Sequence, residues 1–218
     1  MPQTVALIGG TGRLGPGLAL RLSHAGLPVI IGSRDRKHAL DVAERVTALG
    51  GVARIRGTTN ADAASAGDLA ILTVPYEAQV GLLPELTGAL AGKVVVSTTV
   101  PVRFDPALGP VAVTVAEGSA AEQVAALLPT SRIVGGFHTV SSAHLGRLDR
   151  DLDEDVLLCG DDDGAKEDAG RIAGVIPGVR VVDAGRLGNA HHLEELTVLL
   201  LSINRLSRRS VGVRLTGL

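Results

Sequence analysis

The chain is expected to form an α/β fold, a mostly parallel, doubly wound sheet covered by helices on both faces, with a smaller C-terminal extension. Three observations predict it. Short β-branched runs alternate with longer Ala/Leu-rich segments. The strand-like runs are continuously apolar, as in strands buried on both faces. The first such run ends in a glycine cluster that opens a helix-like stretch.

In chain order, strands are expected at 4–8, 28–32, 53–58, 69–73, 94–97, 133–137, 156–159 and 179–182. Helices are expected near 14–25, 37–49, 60–66, 77–90, 120–127, 164–176 and 190–206. Pro75 and Pro101 end the fourth and fifth strands, because proline fixes φ and lacks an N–H. The Pro/Gly-rich stretch 103–118 is expected to be a mobile loop, and the polar, acidic stretch 142–155 to be irregular. Aromatic residues are limited to Tyr76, Phe104 and Phe137, with no tryptophan, so the core must be Leu, Val, Ile and Ala.

The 218 residues are 45% hydrophobic and 20% charged, which suits one compact unit. We divide it into a core, about 1–136, and a C-terminal lobe, about 137–218. The net charge of −2 gives no electrostatic case for nucleic acid. Residues 193–206 include Glu194, Glu195, Asn204 and Arg205, too polar a set to span a bilayer. No basic, apolar leader opens the chain, and Cys159 is the only cysteine, so a cytoplasmic location is expected. Cys159 ends an apolar run and reads as a small buried residue.

The glycine cluster fits G-x-G-x-x-G at Gly10, Gly12 and Gly15. One glycine allows the tight turn, the next lets backbone approach a pyrophosphate, and the third lets the helix pack closely. The helix N-terminus then offers N–H groups to phosphate. A tight turn with no ligand would use the same glycines. In this context the pattern makes the fold Rossmann-type. At the end of the second strand stand Ser33 and Arg34 rather than an acid, which favours the 2′-phosphate of NADP(H) over the 2′-hydroxyl of NAD(H). Arg36, Lys37 and His38 add positive charge, and Asp35 reads as the N-cap of the next helix.

Ligands of such sheets sit beyond the strand C-termini, so residues 73–76, 98–102 and 138–141 converge on one crevice. Val74, Val100 and Val102 would expose backbone along a nicotinamide. His138 is either a site residue or a hydrogen-bonded structural histidine. Asp161, Asp162 and Asp163 precede a helix and read as caps rather than a metal site. His191 and His192 are neighbours on a helix and should diverge by about 100°. No metal is expected. The Tyr-x-x-x-Lys pair of short-chain reductases is absent, since four residues after Tyr76 comes Val80. No acid–base dyad or activated nucleophile is evident, so bound cofactors must carry any reactivity. The helix at 190–206 is apolar on most faces, hence buried in its own chain or packed in a dimer, and a homodimer is expected.

The chain resembles the NADPH-dependent reductases of the deazaflavin coenzyme F420. The resemblance runs nearly end to end, on Val5-Ala-Leu-Ile-Gly-Gly-Thr-Gly-Arg-Leu-Gly-Pro-Gly-Leu18, Ile31-Gly-Ser-Arg34, Leu72-Thr-Val-Pro-Tyr76 and Gly118-Ser-Ala-Ala-Glu122. It continues through Phe137-His-Thr-Val140, Cys159-Gly-Asp-Asp-Asp163, Asp183-Ala-Gly185 and Gly212-Val-Arg-Leu-Thr-Gly-Leu218. It implies direct hydride transfer between nicotinamide C4 and deazaflavin C5, with coenzyme F420 as co-substrate. It implies that Thr11, Gly12, Arg13 and Leu14, with Ser33 and Arg34, hold the NADP phosphates. His38 stands where relatives usually carry Lys, and Ser141 where they often carry Pro. Tyr76, Val80, Val100 and Val102 would frame the nicotinamide. His138, Thr139 and Ser142 would line the deazaflavin pocket, with His138 able to tune the ring, and Val211 would touch it. Arg205, Arg208, Arg209 and Arg214 would meet the coenzyme's acidic tail, or simply solvate a helix end. The alternatives are an NADPH-dependent reductase of a flavin, ferric chelate or small carbonyl, and a non-catalytic NADPH-binding sensor.

Overall fold

The computed structural model describes residues 3–218. Its first part holds β1 (Val5–Ile8), α1 (Gly15–His24), β2 (Val29–Ser33), α2 (Arg36–Ala48), β3 (Ile55–Thr59), α3 (Asn60–Ala66), β4 (Leu69–Leu72), α4 (Gln79–Leu90) and β5 (Val94–Ser97). Then come β6 (Val102–Asp105), β7 (Gly109–Ala112), α5 (Ala120–Leu127), β8 (Arg132–Gly135), α6 (Ser142–Leu145), β9 (Glu154–Gly160), α7 (Asp163–Gly174), β10 (Val179–Asp183) and α8 (Ala190–Ser207). Every strand and helix expected from the sequence forms.

Eight strands make one sheet in the order β10-β9-β8-β5-β4-β1-β2-β3. The pairings are parallel except β8 with β9, which is antiparallel. The chain winds outward from β1 through β2 and β3, then returns to the other side of β1 as β4. The order therefore reverses between β1 and β4, where Val5 pairs with Leu69 and Ile8 with Leu72. That reversal opens a crevice beyond the strand C-termini.

Strand alternation divides the core into two layers. Val5, Leu7, Ile31 and Ile71 face α1, α2 and α7, while Ala6, Ile8, Ile30 and Leu72 face the layer of α3, α4 and α5. Both faces being covered explains why these strands are apolar at every position. Side chains such as Ile71, fully buried, each contribute roughly 1.5–3 kcal/mol by leaving water.

Two expectations are corrected. The stretch 103–118 is not a free loop, because β6 and β7 form a hairpin, with Val102 opposite Ala112 and Asp105 opposite Gly109. Asp105 closes the turn by accepting the N–H groups of Ala107 and Leu108, and Gly109 supplies a φ of +87°. A two-stranded hairpin is marginal alone; here α8 packs against it. Residues 142–155 are not irregular throughout either: Ser141 caps the short α6 by accepting from the His144 N–H. Among the described residues no helix is long and apolar enough to cross a membrane.

Candidate functional site

The turn after β1 separates two kinds of glycine. Gly9 takes a φ of +73°, and a Cβ there would overlap Val74. The Gly10 N–H donates to the Gly32 carbonyl at 2.9 Å, and a Cβ on Gly10 would press on Leu7. A Cβ on Gly15 would overlap the Gly10 carbonyl. Gly9, Gly10 and Gly15 are thus demanded by the chain itself. Gly12 is different: it is exposed, and a Cβ there would meet nothing nearer than 3.6 Å. Its N–H donates to the Gly9 carbonyl at 3.2 Å, and no packing contact requires it to lack a side chain. Helix α1 starts here with Pro16 in its first turn and no side-chain cap, which leaves its first N–H groups for an anion. Thr11 and Leu14 are half-buried and Arg13 is exposed along this turn.

Two contributors to the turn escape a reading by motif. Gly9 lies just outside the G-x-G-x-x-G fit, although the double glycine is visible in the sequence. Asn60, buried at the start of α3, accepts the Gly9 N–H at 2.9 Å and so braces the turn from the side. Gly32 has no side chain where Asn60 stands. No local pattern flags Asn60, because the two partners lie 51 residues apart.

At the end of β2, Ser33 is buried and its hydroxyl accepts the Asp35 N–H. Asp35 caps α2 as expected, accepting from the N–H groups of Lys37 and His38. Its carboxylate is therefore engaged by the helix. Arg34, Arg36, Lys37 and His38 are exposed, and Arg34 forms no ion pair among the described residues. The rim at this end of the crevice is cationic.

Threonines lace the next strand ends together. The Thr73 N–H and hydroxyl both donate to the Ile8 carbonyl, Thr98 donates to Leu72 at 2.8 Å, and Thr99 to Val74 at 3.2 Å. Of the three valines expected to expose backbone, Val74 has its carbonyl engaged by Thr99, whereas Val100 and Val102 are half-buried. Tyr76 opens a short 3₁₀ turn before α4, and its hydroxyl accepts from Gln123 of α5 at 3.4 Å. Val80 is exposed on α4.

His138 is buried, and among the described residues neither of its ring nitrogens has a hydrogen-bond partner. Burial pushes its pKa down to about 4, which keeps the imidazole neutral. It follows Phe137, a bulky residue held at φ +62°, a conformation that costs on the order of 1–3 kcal/mol. The Gly136 N–H donates to the Ser97 carbonyl and holds this bend to β5. Cys159 is buried beside Gly135 and its thiol is pushed up to about 12 by burial, so it is unreactive.

Beyond His138, Thr139 is buried and Ser142 is exposed at the start of α6. The buried Glu154 carboxylate accepts the Ser141 N–H at 2.9 Å and meets His144 Nδ1 at 2.5 Å. Gly212 of the C-terminal tail lies directly against Glu154. The tail bearing Val211 and the segment bearing His138, Thr139 and Ser142 are thus brought together. The Val211 N–H donates to Asn204 at 2.8 Å. Asp155 anchors the tail, accepting from Arg180, Arg214 and the Leu215 N–H. Arg180 holds its carboxyl below the usual range. Arg214 also pairs with Asp153, so it is bound into the fold rather than free for a ligand. Arg205 packs on Gly109, while Arg208 and Arg209 are exposed.

Asp162 caps α7 through the Ala165 N–H and pairs with Arg132, and Asp161 accepts the Leu187 N–H, so the acidic run serves the fold. His191 and His192 do not diverge: their ring centroids are 3.6 Å apart, because His191 turns back to the Gly188 carbonyl. Among the described residues no three His, Cys, Asp or Glu side chains gather as metal ligands. The N-terminus of α5 is closed by the buried Glu194 of α8, which accepts the Ala120 and Ala121 N–H groups at 3.0 and 3.1 Å. Burial pushes Glu194 up to about 7.

A bare-backbone glycine turn at a sheet reversal, beside a cationic strand end, defines a dinucleotide-binding protein of the NAD(P)-linked oxidoreductase class. Residues 4–101 match the family model described as NADP oxidoreductase, coenzyme F420-dependent. An F420-dependent NADP reductase of Methanothermobacter marburgensis is 40% identical over 98% of both chains. The chain belongs to the F420-dependent NADP reductase family. The metalloreductase STEAP3 of Rattus norvegicus is 27% identical over 92% of this chain but only 38% of its own. A solved structure from Arthrobacter sp. FB24, described as a putative F420-dependent NADP-reductase, shares the fold with a TM-score of 0.79. It is 23% identical and covers 98% of this chain and 99% of its own.

Proposed function

We propose that this protein transfers a hydride directly between NADP(H) and coenzyme F420. The observation that carries the reading is the end-to-end likeness at 40% identity to a reductase of that description. The site chemistry supports it. Gly12 is exposed and carries no side chain although a Cβ would have room there, which leaves space for a ligand to approach the turn. Arg34 stands exposed where an NAD site would place an acid, and Asp35 is engaged as a cap. Both features fit a bound NADP.

When bound, the two rings would supply the redox chemistry, a hydride passing with its electron pair from nicotinamide C4 to deazaflavin C5 and solvent giving the accompanying proton. The protein's residues bind, orient and exclude water. Thr11, Gly12, Arg13 and Leu14 hold the pyrophosphate at the start of α1, in a turn whose shape Gly10 and Gly15 set. Ser33, Arg34 and His38 take the 2′-phosphate. Tyr76, Val80, Val100 and Val102 frame the nicotinamide. His138, Thr139, Ser142 and Val211 face the deazaflavin, and the neutral His138 imidazole tunes the ring without donating a proton. The core, 1–136, carries NADP, and the lobe 137–218 carries F420 and the contacts between subunits.

The enzyme works in the cytoplasm as a homodimer. Leu199, Ile203 and Leu206 make one exposed stripe on α8. Phe104 and Leu108, on the hairpin against which α8 packs, add further exposed apolar surface. The reading is tested by mixing the protein with oxidised F420 and either NADPH or NADH and following the visible deazaflavin absorbance. Fast bleaching with NADPH and little with NADH is expected. NADPH binding without bleaching would overturn F420 as the acceptor and point to a flavin, a ferric chelate or a sensor.

A further inference from the structure

Helix α1 is tied to the segment after β8 by one buried guanidinium. Arg21 is 2% exposed. Its Nε donates to the Leu145 carbonyl at 3.1 Å, and its Nη2 reaches the carbonyls of His144 at 3.2 Å, Arg150 at 2.9 Å and Arg147. One turn earlier on the same helix, a Cβ on Gly17 would lie 2.7 Å from the Leu145 Cβ. α6 therefore rests directly on α1, and the carbonyls that end it gather on a cation from that helix.

Packing alone does not require this. An aliphatic side chain would fill the space without burying a charge, and buried charges are weak sources of stability. A planar guanidinium differs in fixing direction and register, because its donors lie in a rigid fork. Hydrogen bonds also hold the segment after β8 at Gly136, to Ser97, and at Ser141, to Glu154. Neither of those two reaches α1; Phe137, Val140 and Leu145 meet α1 only through apolar packing, which fixes no direction. The directional bonds between the helix that opens at the glycine turn and the segment proposed to face the deazaflavin are those of Arg21.

We propose that Arg21 is a positioning residue for the hydride transfer: it holds the segment 138–150 in register with α1 and so sets how one ring approaches the other. The proposal rests on the F420 reading above. Its test uses the full-length protein with Arg21→Lys and Arg21→Met. NADPH Kd should stay within about twofold in both, since the glycine turn is untouched. In Arg21→Met the KM for F420 should rise roughly tenfold and kcat should fall, because small misplacements of reacting groups are costly. Arg21→Lys should recover part of both, as an ammonium can serve some of the carbonyls. Leu18→Ala, a buried α1 substitution of similar structural cost, should leave both affinities in place. NADPH and F420 affinities moving together, neither moving, or Leu18→Ala giving the same split would each overturn the proposal alone. Should Arg21→Met not fold, Arg21→Lys and Leu145→Ala carry the same comparison. Failure of the wild-type protein to bleach F420 overturns the acceptor reading and the positioning role with it.

Discussion

Gly12 and Gly15 lie three residues apart and lack a side chain for opposite reasons. Gly15 has no room, because a Cβ would enter the Gly10 carbonyl. Gly15→Ala should therefore cost about 1–3 kcal/mol of stability, the usual penalty of overpacking, as read by chemical denaturation. Gly12 has room, since a Cβ there would find no atom nearer than 3.6 Å. Gly12→Ala should leave stability within about 0.5 kcal/mol and weaken NADPH at least about tenfold in a fluorescence titration. Equal NADPH affinity in that variant would mean that no ligand approaches the turn. Arg34→Glu replaces a donor by a repelling charge and should weaken NADPH by roughly a hundredfold while changing NADH little. Equal losses for both nucleotides would remove Arg34 from the 2′-phosphate site.

Between elements, the junction of α5 and α8 is sensitive to pH. Glu194 of α8 caps α5 from a buried position, and burial outweighs the two N–H donors that favour its charge. The folded state keeps the proton up to about 7, whereas the unfolded chain releases it near the ordinary glutamate value of 4.5. The stability from this group is thus fully present below 4.5 and is lost as pH rises through about 7, by up to about 3 kcal/mol. Glu194→Gln removes the titration. Denaturation at pH 5 and pH 8 should show the wild type losing stability relative to the variant at the higher pH. A constant difference would mean that the carboxylate ionises freely in place. His138 bends the profile the other way: its lowered pKa makes its contribution fall as pH drops from about 6.5 toward about 4.

For the whole molecule, the exposed apolar stripe of α8 carries the expectation about assembly. The wild-type protein should sediment at twice the 22.3 kDa chain mass. Leu199→Glu combined with Leu206→Glu should give monomers, since each places a charge where apolar surface would be buried. A monomeric wild type would leave the stripe without that role. At the same scale, the fold ties the segments proposed to hold the two rings to one another. The glycine turn lies at the sheet reversal, the segment after β8 leaves the sheet on the far side of β4 and β5, Arg21 ties that segment to α1, and Glu154 ties it to the C-terminal tail.

By itself the sequence determined the strands of the main sheet, every helix except α6, the glycine turn and the cap at Asp35. Each rests on local causes: side-chain period, proline and glycine backbone limits, and short-range hydrogen bonds. It also carried the resemblance that names the family, through blocks spread along the whole chain. Tertiary structure alone decided the antiparallel β8–β9 pair, the β6–β7 hairpin, the bracing of Gly9 by Asn60 and the clamp of Arg21 on residues 144–150. It also decided which charges are free, tying Arg214 to Asp153 and Asp155 and leaving Arg34 open. The physical reason is distance along the chain. The brace and the clamp join residues tens to more than a hundred positions apart, and no local period or turn preference encodes which buried donor will find which carbonyl.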